Sequence, residues 1–175
     1  MGPFVDFKGF NFDKLCSNLY IYTGIFIDTE SRNHILERFP PIHPNIFVDH
    51  ITLCFKPSFE EVMATDFWTD DNGEKVPFEI LESAEDEFGQ AVKVRIRPWV
   101  DTEHLPCRNE ILHITISCAD GISASYSNKL LQNSTCKPLK ASALYCFNGD
   151  VGVCMYSDRQ FVPEYMWKRR GLISR

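Results

Sequence analysis

The sequence contains no long hydrophobic run, since none of its apolar segments approaches the roughly 20 residues that a membrane-spanning helix requires. Its first residues, from Met1 to Phe7, carry neither the basic region nor the apolar region of a secretory signal peptide. We therefore expect a protein without a membrane partner that is not secreted and that resides in the cytoplasm or the nucleus.

Closely spaced cysteine pairs are also missing. The seven cysteines are odd in number and scattered, and no two of them have the C-x-x-C spacing of zinc ribbons or thioredoxin-like redox sites. The sequence also lacks a convincing cluster of carboxylates for a hard cation. The pattern predicts free thiols in a reducing compartment, and we expect neither a bound metal nor another cofactor.

An excess of positive charge is absent as well. The chain has 18 basic and 24 acidic residues, which gives a net charge of −6 and a pI of about 5.3. Proteins that coat long duplexes neutralise many phosphates with Lys and Arg, so we expect no binding of long duplexes. A nucleic-acid ligand of this chain should be small or engaged at one end.

The chain shows no linker and no low-complexity segment. Its 175 residues, of which 44% are hydrophobic, are enough for one sizeable core. We expect a single domain over residues 1–175, with its core at about residues 20–156, and a monomer.

Runs of β-branched and aromatic residues between turn signals predict an α+β fold with more strand than helix. The predicted strands cover Tyr20 to Ile27, Phe47 to Phe55, Pro77 to Ser83, Ala91 to Pro98 and Ile111 to Cys118, and a further hairpin joins Ala143 to Phe147 and Val151 to Tyr156 through Asn148-Gly149-Asp150. The predicted helices cover Ser31 to Arg38 and Ser123 to Gln132, with a short helix or turn over Ser58 to Thr65, a turn over Asp70 to Gly73 and an extended loop over Phe39 to Asn45.

One short pattern occurs twice, as His50-Ile-Thr-Leu53 and as His113-Ile-Thr-Ile116. Side chains alternate between the two faces of a strand, so each copy presents a histidine and a threonine on one face and apolar residues on the other. Two such strands side by side would place two imidazoles and two hydroxyls around one small anion.

These groups match the requirements of phosphodiester cleavage. A base takes a proton from water or a ribose hydroxyl, an acid protonates the leaving oxygen, and hydrogen-bond donors hold the non-bridging oxygens. Histidine serves as acid or base near neutral pH, and threonine donates to phosphate without adding charge. The pattern predicts His50 and His113 as catalytic residues and Thr52 and Thr115 as phosphate-binding residues.

With these two motifs the sequence resembles the 2H phosphoesterase superfamily, which includes LigT-like RNA phosphodiesterases and cyclic nucleotide phosphodiesterases. The resemblance is specific in the motifs and looser over the rest of the range from Tyr20 to Tyr156. It implies two pseudo-symmetric lobes with antiparallel sheets around a central cleft and helices on the outside. It also implies a phosphodiesterase, independent of metal, that acts at a ribose 2′ position.

The resemblance leaves the substrate open between an RNA 3′ end with a 2′,3′-cyclic phosphate, a short oligonucleotide such as a 2′-5′ oligoadenylate, and a cyclic nucleotide. It does not decide which histidine is the base. Two other functions also stay open: a non-catalytic module that binds a nucleotide or an RNA end on the same fold, and a protein-interaction domain in which both motifs are structural.

Recognition of a base would require an aromatic ring near the site, because nucleobases stack on aromatic side chains. Phe147 and Tyr156 are the first candidates, followed by Tyr126 and Trp99, although a core position would explain any of them. Lys93 and Arg95 alternate along one predicted strand and either contact phosphate or form a solvated face.

Overall fold

The computed structural model describes residue 11 and residues 18–72, 75–133, 135–139, 146–157 and 160–163. The strands in these ranges are β1 (Tyr20–Ile27), β2 (Asn45–Ile46), β3 (His50–Phe55), β4 (Val76–Glu85), β5 (Gly89–Ile96), β6 (His113–Cys118), β7 (Lys137–Pro138), β8 (Cys146–Ser157) and β9 (Gln160–Pro163). The helices with described bounds are α1 (Thr29–Arg38), α2 (Phe59–Asn72) and α3 (Tyr126–Asn133). The predicted α+β class is confirmed. No helix in the described ranges combines the length and the apolar character needed to cross a membrane.

The described strands form one antiparallel sheet in the order β2-β6-β5-β4-β8-β1-β3, with β7 paired to β4 and β9 paired to β8. The predicted antiparallel pairing is therefore confirmed. Pairing of β4 with β8 over Val76 to Glu79 makes the sheet continuous where the resemblance implied two lobes. The pseudo-symmetry of two lobes stays a prediction.

The two ends of this sheet must lie close together. Strand β2 belongs to one end of the order and β3 to the other, yet Ile46 and His50 are only four positions apart in the chain. A chain extends by at most about 3.6 Å per residue, so the two ends are within about 14 Å of each other. The backbone N–H of Val48, in this connection, donates to the carbonyl oxygen of Thr115 at 2.9 Å. The sheet therefore curls until β3 lies beside β6.

Val48 has an unusual backbone conformation. Its φ is 64°, in the left-handed region that β-branched residues rarely adopt, and its side chain is fully buried. The predicted strand from Phe47 to Phe55 was therefore wrong at its start, because the chain bends at Val48 and β3 begins only at His50. The bend lets the chain leave β6 and enter β3.

One apolar core fills the face of the sheet opposite to the histidines. Ile51 and Leu53 of β3 and Ile114 and Ile116 of β6 are all fully buried in it. The predicted apolar backing of both motifs is confirmed. Other members of the core come from the remaining strands and from two helices; they include Ile25, Ile35, Trp68, Phe78, Val92, Phe147 and Val151.

Strand β8 is continuous where the sequence predicted a hairpin. The hairpin prediction at Asn148-Gly149-Asp150 was wrong, because these residues lie inside β8 and pair with neighbours on both sides. Gly149 faces Ile27 of β1 and Val76 of β4. Pairing with β1 and β4 thus outweighs the local turn preference of these residues. Residues 143–145 of the predicted hairpin lie outside the described ranges.

Helix α2 is longer than the predicted segment from Ser58 to Thr65. It begins with a capping box, in which the Ser58 N–H donates to Glu61 Oε2 at 2.8 Å and the Glu61 N–H donates to Ser58 Oγ at 3.2 Å. In the second half of α2, the buried side chain of Trp68 packs into the core. The turn predicted at Asp70 was wrong, because the helix continues to Asn72.

Gly24→Ala should lower the free energy of unfolding. A Cβ atom at Gly24 would lie 2.7 Å from the carbonyl oxygen of Ile51, so β1 and β3 would have to separate. We expect a loss of about 1–3 kcal/mol, the usual cost of overpacking, measured by urea denaturation. Asn33→Ala on the exposed side of α1 is the control and should not lower the free energy of unfolding, since alanine favours the helix. Equal stability of the Gly24 variant and wild type would contradict the close packing of β1 against β3.

Candidate active site

The two motif histidines lie near each other, on β3 and β6. The hydrogen bond from the Val48 N–H to the Thr115 carbonyl oxygen, two residues from each histidine along the chain, joins the start of β3 to β6. Their proximity also shows in the electrostatics, because the charge of His113 is one cause of the lowered pKa of His50. The structure therefore brings the predicted catalytic pair together.

A second set of hydrogen bonds holds β3 beside the segment that leads into β6. The carbonyl oxygen of Leu53 accepts the N–H groups of Arg108 and Asn109 at 3.0 and 3.1 Å. The side-chain amide of Asn109 donates to the carbonyl oxygen of Thr52 at 3.0 Å. The local sequence carries no signal for this role, since only the folded chain places Asn109 against β3.

His113 is buried, with 8% of its surface exposed. Its Nδ1 donates to the carbonyl oxygen of Ile111 at 2.7 Å, because a carbonyl can only accept. The neutral ring then carries its lone pair on Nε2. Burial lowers the pKa of His113, and the hydrogen bond to Ile111 opposes this shift.

His50 packs against aromatic side chains of β1. The ring of Tyr22 stacks on the imidazole with the ring centroids 4.2 Å apart and the planes at 18°, and the Tyr22 hydroxyl lies 3.2 Å from His50 Nδ1. Phe26 contacts the imidazole as well, with the centroids 6.2 Å apart. Burial, followed by the charge of His113, lowers the pKa of His50 to about 4. His50 is therefore neutral at pH 7.

Tyr22 is a further site residue that local sequence did not predict. Tyr22 and His50 are 28 positions apart, and their contact depends on the pairing of β1 with β3. The only available signal is the alternation within β1, which puts Tyr22 and Phe26 on one face once the partner strand is known.

The two threonines differ in their surroundings. Thr52 is half-buried, and its hydroxyl forms no hydrogen bond with another described residue. The Thr115 hydroxyl lies 3.2 Å from the carbonyl oxygen of Ala124, to which it donates, and 2.8 Å from Ser127 Oγ at the start of α3. Thr52 is therefore available to an anion, whereas Thr115 is already engaged.

The predicted base-stacking residues do not lie together. Phe147 belongs to the core, with 3% exposure and its ring stacked on Phe78 at 5.8 Å, so its assignment as a stacking residue was wrong. Tyr156 lies in β8, and its side chain is outside the described part of the structure. The Tyr126 hydroxyl donates to Asp86 Oδ2 at 2.7 Å. Trp99 is 69% exposed.

Among the described residues, no three His, Cys, Asp or Glu side chains are grouped so that they could hold a metal ion.

Comparisons with known proteins give little further guidance. No protein-family model matches the chain, and no curated protein matches it. A crystal structure of a fungal RNA kinase is similar over 82% of this chain and 44% of that chain, with 17% sequence identity and a TM-score of 0.46. The chain thus spans less than half the length of that kinase structure, and a similarity this weak supports no inference about activity.

The lowered pKa of His50 predicts a loss of stability in mild acid. Unfolded His50 binds a proton below about pH 6.5, whereas folded His50 does so only near pH 4. The unfolded state therefore binds more protons between these values, and the free energy of unfolding should fall as the pH decreases from 6.5 to 4. The His50 contribution should reach about 3 kcal/mol, since one pKa unit corresponds to about 1.4 kcal/mol.

Denaturant unfolding of wild type and His50→Gln at several pH values tests this expectation. Glutamine does not titrate, so the variant should show a shallower decrease over the same range. The carboxylates contribute equally to both proteins. Parallel curves for the two proteins would show that burial of His50 does not depress its pKa.

Proposed function

We propose that this chain is a phosphodiesterase that acts, without a metal ion, on RNA or a small nucleotide at a ribose 2′ position. The observation that supports it best is the pair of His50 and His113 beside the available hydroxyl of Thr52. Two imidazoles that are close enough for the charge of one to affect the pKa of the other favour a state with one proton between them, because two positive charges would repel each other. A pair with one proton contains one acid and one base.

The surroundings of the two rings suggest which histidine has which role. The Ile111 carbonyl accepts from Nδ1 of His113 and so favours its protonated form, while the pKa of His50 is lowered to about 4 by burial and by the charge of His113. A bound phosphodiester adds negative charge and raises the pKa of both rings. We therefore assign the proton, and the role of general acid, to His113, and the role of general base to His50.

The reaction then follows from these assignments. His50 takes a proton from water while the water oxygen forms a bond to phosphorus, and His113 gives its proton to the ribose oxygen whose bond to phosphorus breaks. Thr52 donates to a non-bridging oxygen. Thr115 also donates to a non-bridging oxygen, once its hydroxyl gives up the hydrogen bond to the Ala124 carbonyl oxygen. Its contact with the Ser127 hydroxyl is kept.

The substrate in this proposal is an RNA 3′ end with a 2′,3′-cyclic phosphate, a 2′-5′ linked oligonucleotide or a cyclic nucleotide. One observation favours the alternative of a non-catalytic module that binds a nucleotide or RNA end. The Thr115 hydroxyl is already bonded within the protein, so a ligand gains less from it than from Thr52.

His50→Ala and His113→Ala should each lower kcat/KM by roughly 100-fold or more, the usual contribution of a general acid or base. The measurement uses four substrates in the presence of EDTA: an RNA ending in a 2′,3′-cyclic phosphate, a 2′-5′ oligoadenylate, a 3′-5′ oligonucleotide and a cyclic dinucleotide. Cleavage by wild type with loss in both variants is the expected result, and it also names the substrate class.

The matched control is His34→Ala, since His34 is exposed on α1. Its activity should equal that of wild type. Undiminished cleavage by the His50 and His113 variants would refute catalysis by this pair. Binding of one substrate that is recovered uncleaved after long incubation would support the binding module instead.

Tyr22→Phe should reduce kcat about two- to tenfold with little change in KM. The variant keeps the stacked ring but removes the hydroxyl beside His50 Nδ1, and a single hydrogen bond contributes about 0.5–1.5 kcal/mol. Tyr126→Phe removes a hydroxyl bonded to Asp86 and is the control. Steady-state kinetics with an unchanged kcat for Tyr22→Phe would show that the hydroxyl does not position His50.

A further inference from the structure

Three basic side chains continue from the histidine pair along β5. Lys93 faces His113 across the β5–β6 ladder, and paired residues of a ladder share one face. Alternation puts Arg95 on the same face, and Arg97 follows just after the end of the strand. At about 3.3 Å per residue, Lys93 and Arg97 are roughly 13 Å apart. We call Lys93, Arg95, Arg97 and Trp99 the β5 stripe.

A buried carboxylate fixes the arginines of the β5 stripe. Glu79 is fully buried, and it forms ion pairs with Arg95 and, at 2.7 Å, with Arg97. The Arg95 side chain is nevertheless 60% exposed. It uses Nε and Nη2 on Glu79, so its remaining N–H groups are available to a ligand. The carboxylate of Glu79 is buried and the guanidinium of Arg95 is exposed, so an anion in solution contacts Arg95 and not Glu79.

Lys93 adds a further positive charge close to the site. It is 39% exposed and lies 3.6 Å from Glu82. The three cations Lys93, Arg95 and Arg97 are therefore paired with only two carboxylates, Glu79 and Glu82. The net charge of the whole chain is −6. A local excess of positive charge on an acidic protein favours an anion of limited size over a long duplex.

Trp99 ends the β5 stripe with an exposed aromatic ring. A turn closed by the Val100 N–H and the Arg97 carbonyl oxygen at 3.0 Å presents it, with Pro98 in the second position of the turn. The indole N–H of Trp68 donates to the carbonyl oxygen of Asp101 at 2.9 Å and ties the chain after the turn to α2. The backbone at Trp99 is therefore held in place, and 69% of the surface of Trp99 is exposed.

The ring of Trp99 is suited to stack a base. The guanidinium of Arg97 lies 5.3 Å from the ring centroid, which leaves most of the ring open to solvent. Exposed aromatic rings next to a basic track are the usual elements of surfaces that bind single-stranded nucleic acids.

We propose that the β5 stripe binds a single-stranded oligonucleotide, with phosphates on Lys93 and Arg95 and a base stacked on Trp99. The inference deepens the proposed function, on which it rests for the position of the reacting phosphate at the histidine pair. The preferred substrate is then an RNA of several nucleotides, because a mononucleotide at the histidines does not reach Trp99.

Fluorescence anisotropy tests the proposal without any cleavage. The probe is a 5′-fluorescein octauridylate with 3′-5′ linkages and 2′-O-methyl riboses, which carries no phosphate at a ribose 2′ position and is therefore not a substrate of the proposed reaction. Trp99→Ala should raise Kd by about fivefold or more, since stacking of one base contributes about 1–3 kcal/mol. Trp99→Phe should recover most of the affinity. Arg95→Gln should raise Kd and reduce the slope of log Kd against log salt by about 0.7.

The matched control is Phe67→Ala combined with Lys129→Ala, because it removes one exposed aromatic ring and one exposed cation elsewhere. This control should bind like wild type. Thermal unfolding checks that the variants fold, which Trp99→Ala should do because its ring is outside the core. Absence of binding by wild type, or equal binding by wild type, Trp99→Ala and Arg95→Gln, would overturn the proposal.

Kinetics separate this proposal from the proposed function. Trp99→Ala should raise KM for an octanucleotide ending in a 2′,3′-cyclic phosphate and leave KM for a cyclic mononucleotide unchanged. Cleavage of both substrates with no effect of Trp99→Ala would reject the β5 stripe and keep the phosphodiesterase. Trp99-dependent binding with no cleavage of any substrate would keep the β5 stripe and reject the phosphodiesterase.

Discussion

The short connection between β2 and β3 determines the arrangement of the site. Three residues lead from one end of the sheet to the other, and within them Val48 adopts a strained backbone conformation and donates to the carbonyl oxygen of Thr115. Leu53 and Asn109 hold the strands together on the other side. Strain of this kind persists where the surrounding structure enforces it, and here hydrogen bonds on both sides of the histidines do so.

The electrostatics of the histidine pair follow from that arrangement. Closing β3 against β6 buries both rings, which lowers the pKa of each, and it brings them near enough for the charge of His113 to affect His50. Asymmetry comes from their partners, a backbone carbonyl for His113 and an aromatic hydroxyl for His50. One constraint on the backbone thus yields a pair in which the two rings differ in their affinity for a proton.

Much of this could be predicted from local sequence. Alternation along a strand is enough to assign Ile51 and Ile114 to the core, and β1 has the predicted bounds. What could not be predicted depends on pairing between distant segments. Tyr22 contacts His50 only because β1 pairs with β3. The local turn preference at Gly149 is overridden because β8 pairs with β1 on one side and with β4 on the other. Local patterns carry no information about which strands become neighbours.

Binding of one anion between the two histidines can be measured directly by a nuclear magnetic resonance titration of protein labelled with ¹⁵N-histidine by a ribonucleoside 2′-monophosphate at pH 7. If one anion binds between His50 and His113, the ring signals of both should shift, and those of His113 should move to the pattern of a protonated imidazole. Saturation of the protein by the nucleotide with the ring signals of both histidines unchanged would show that the anion does not bind between them.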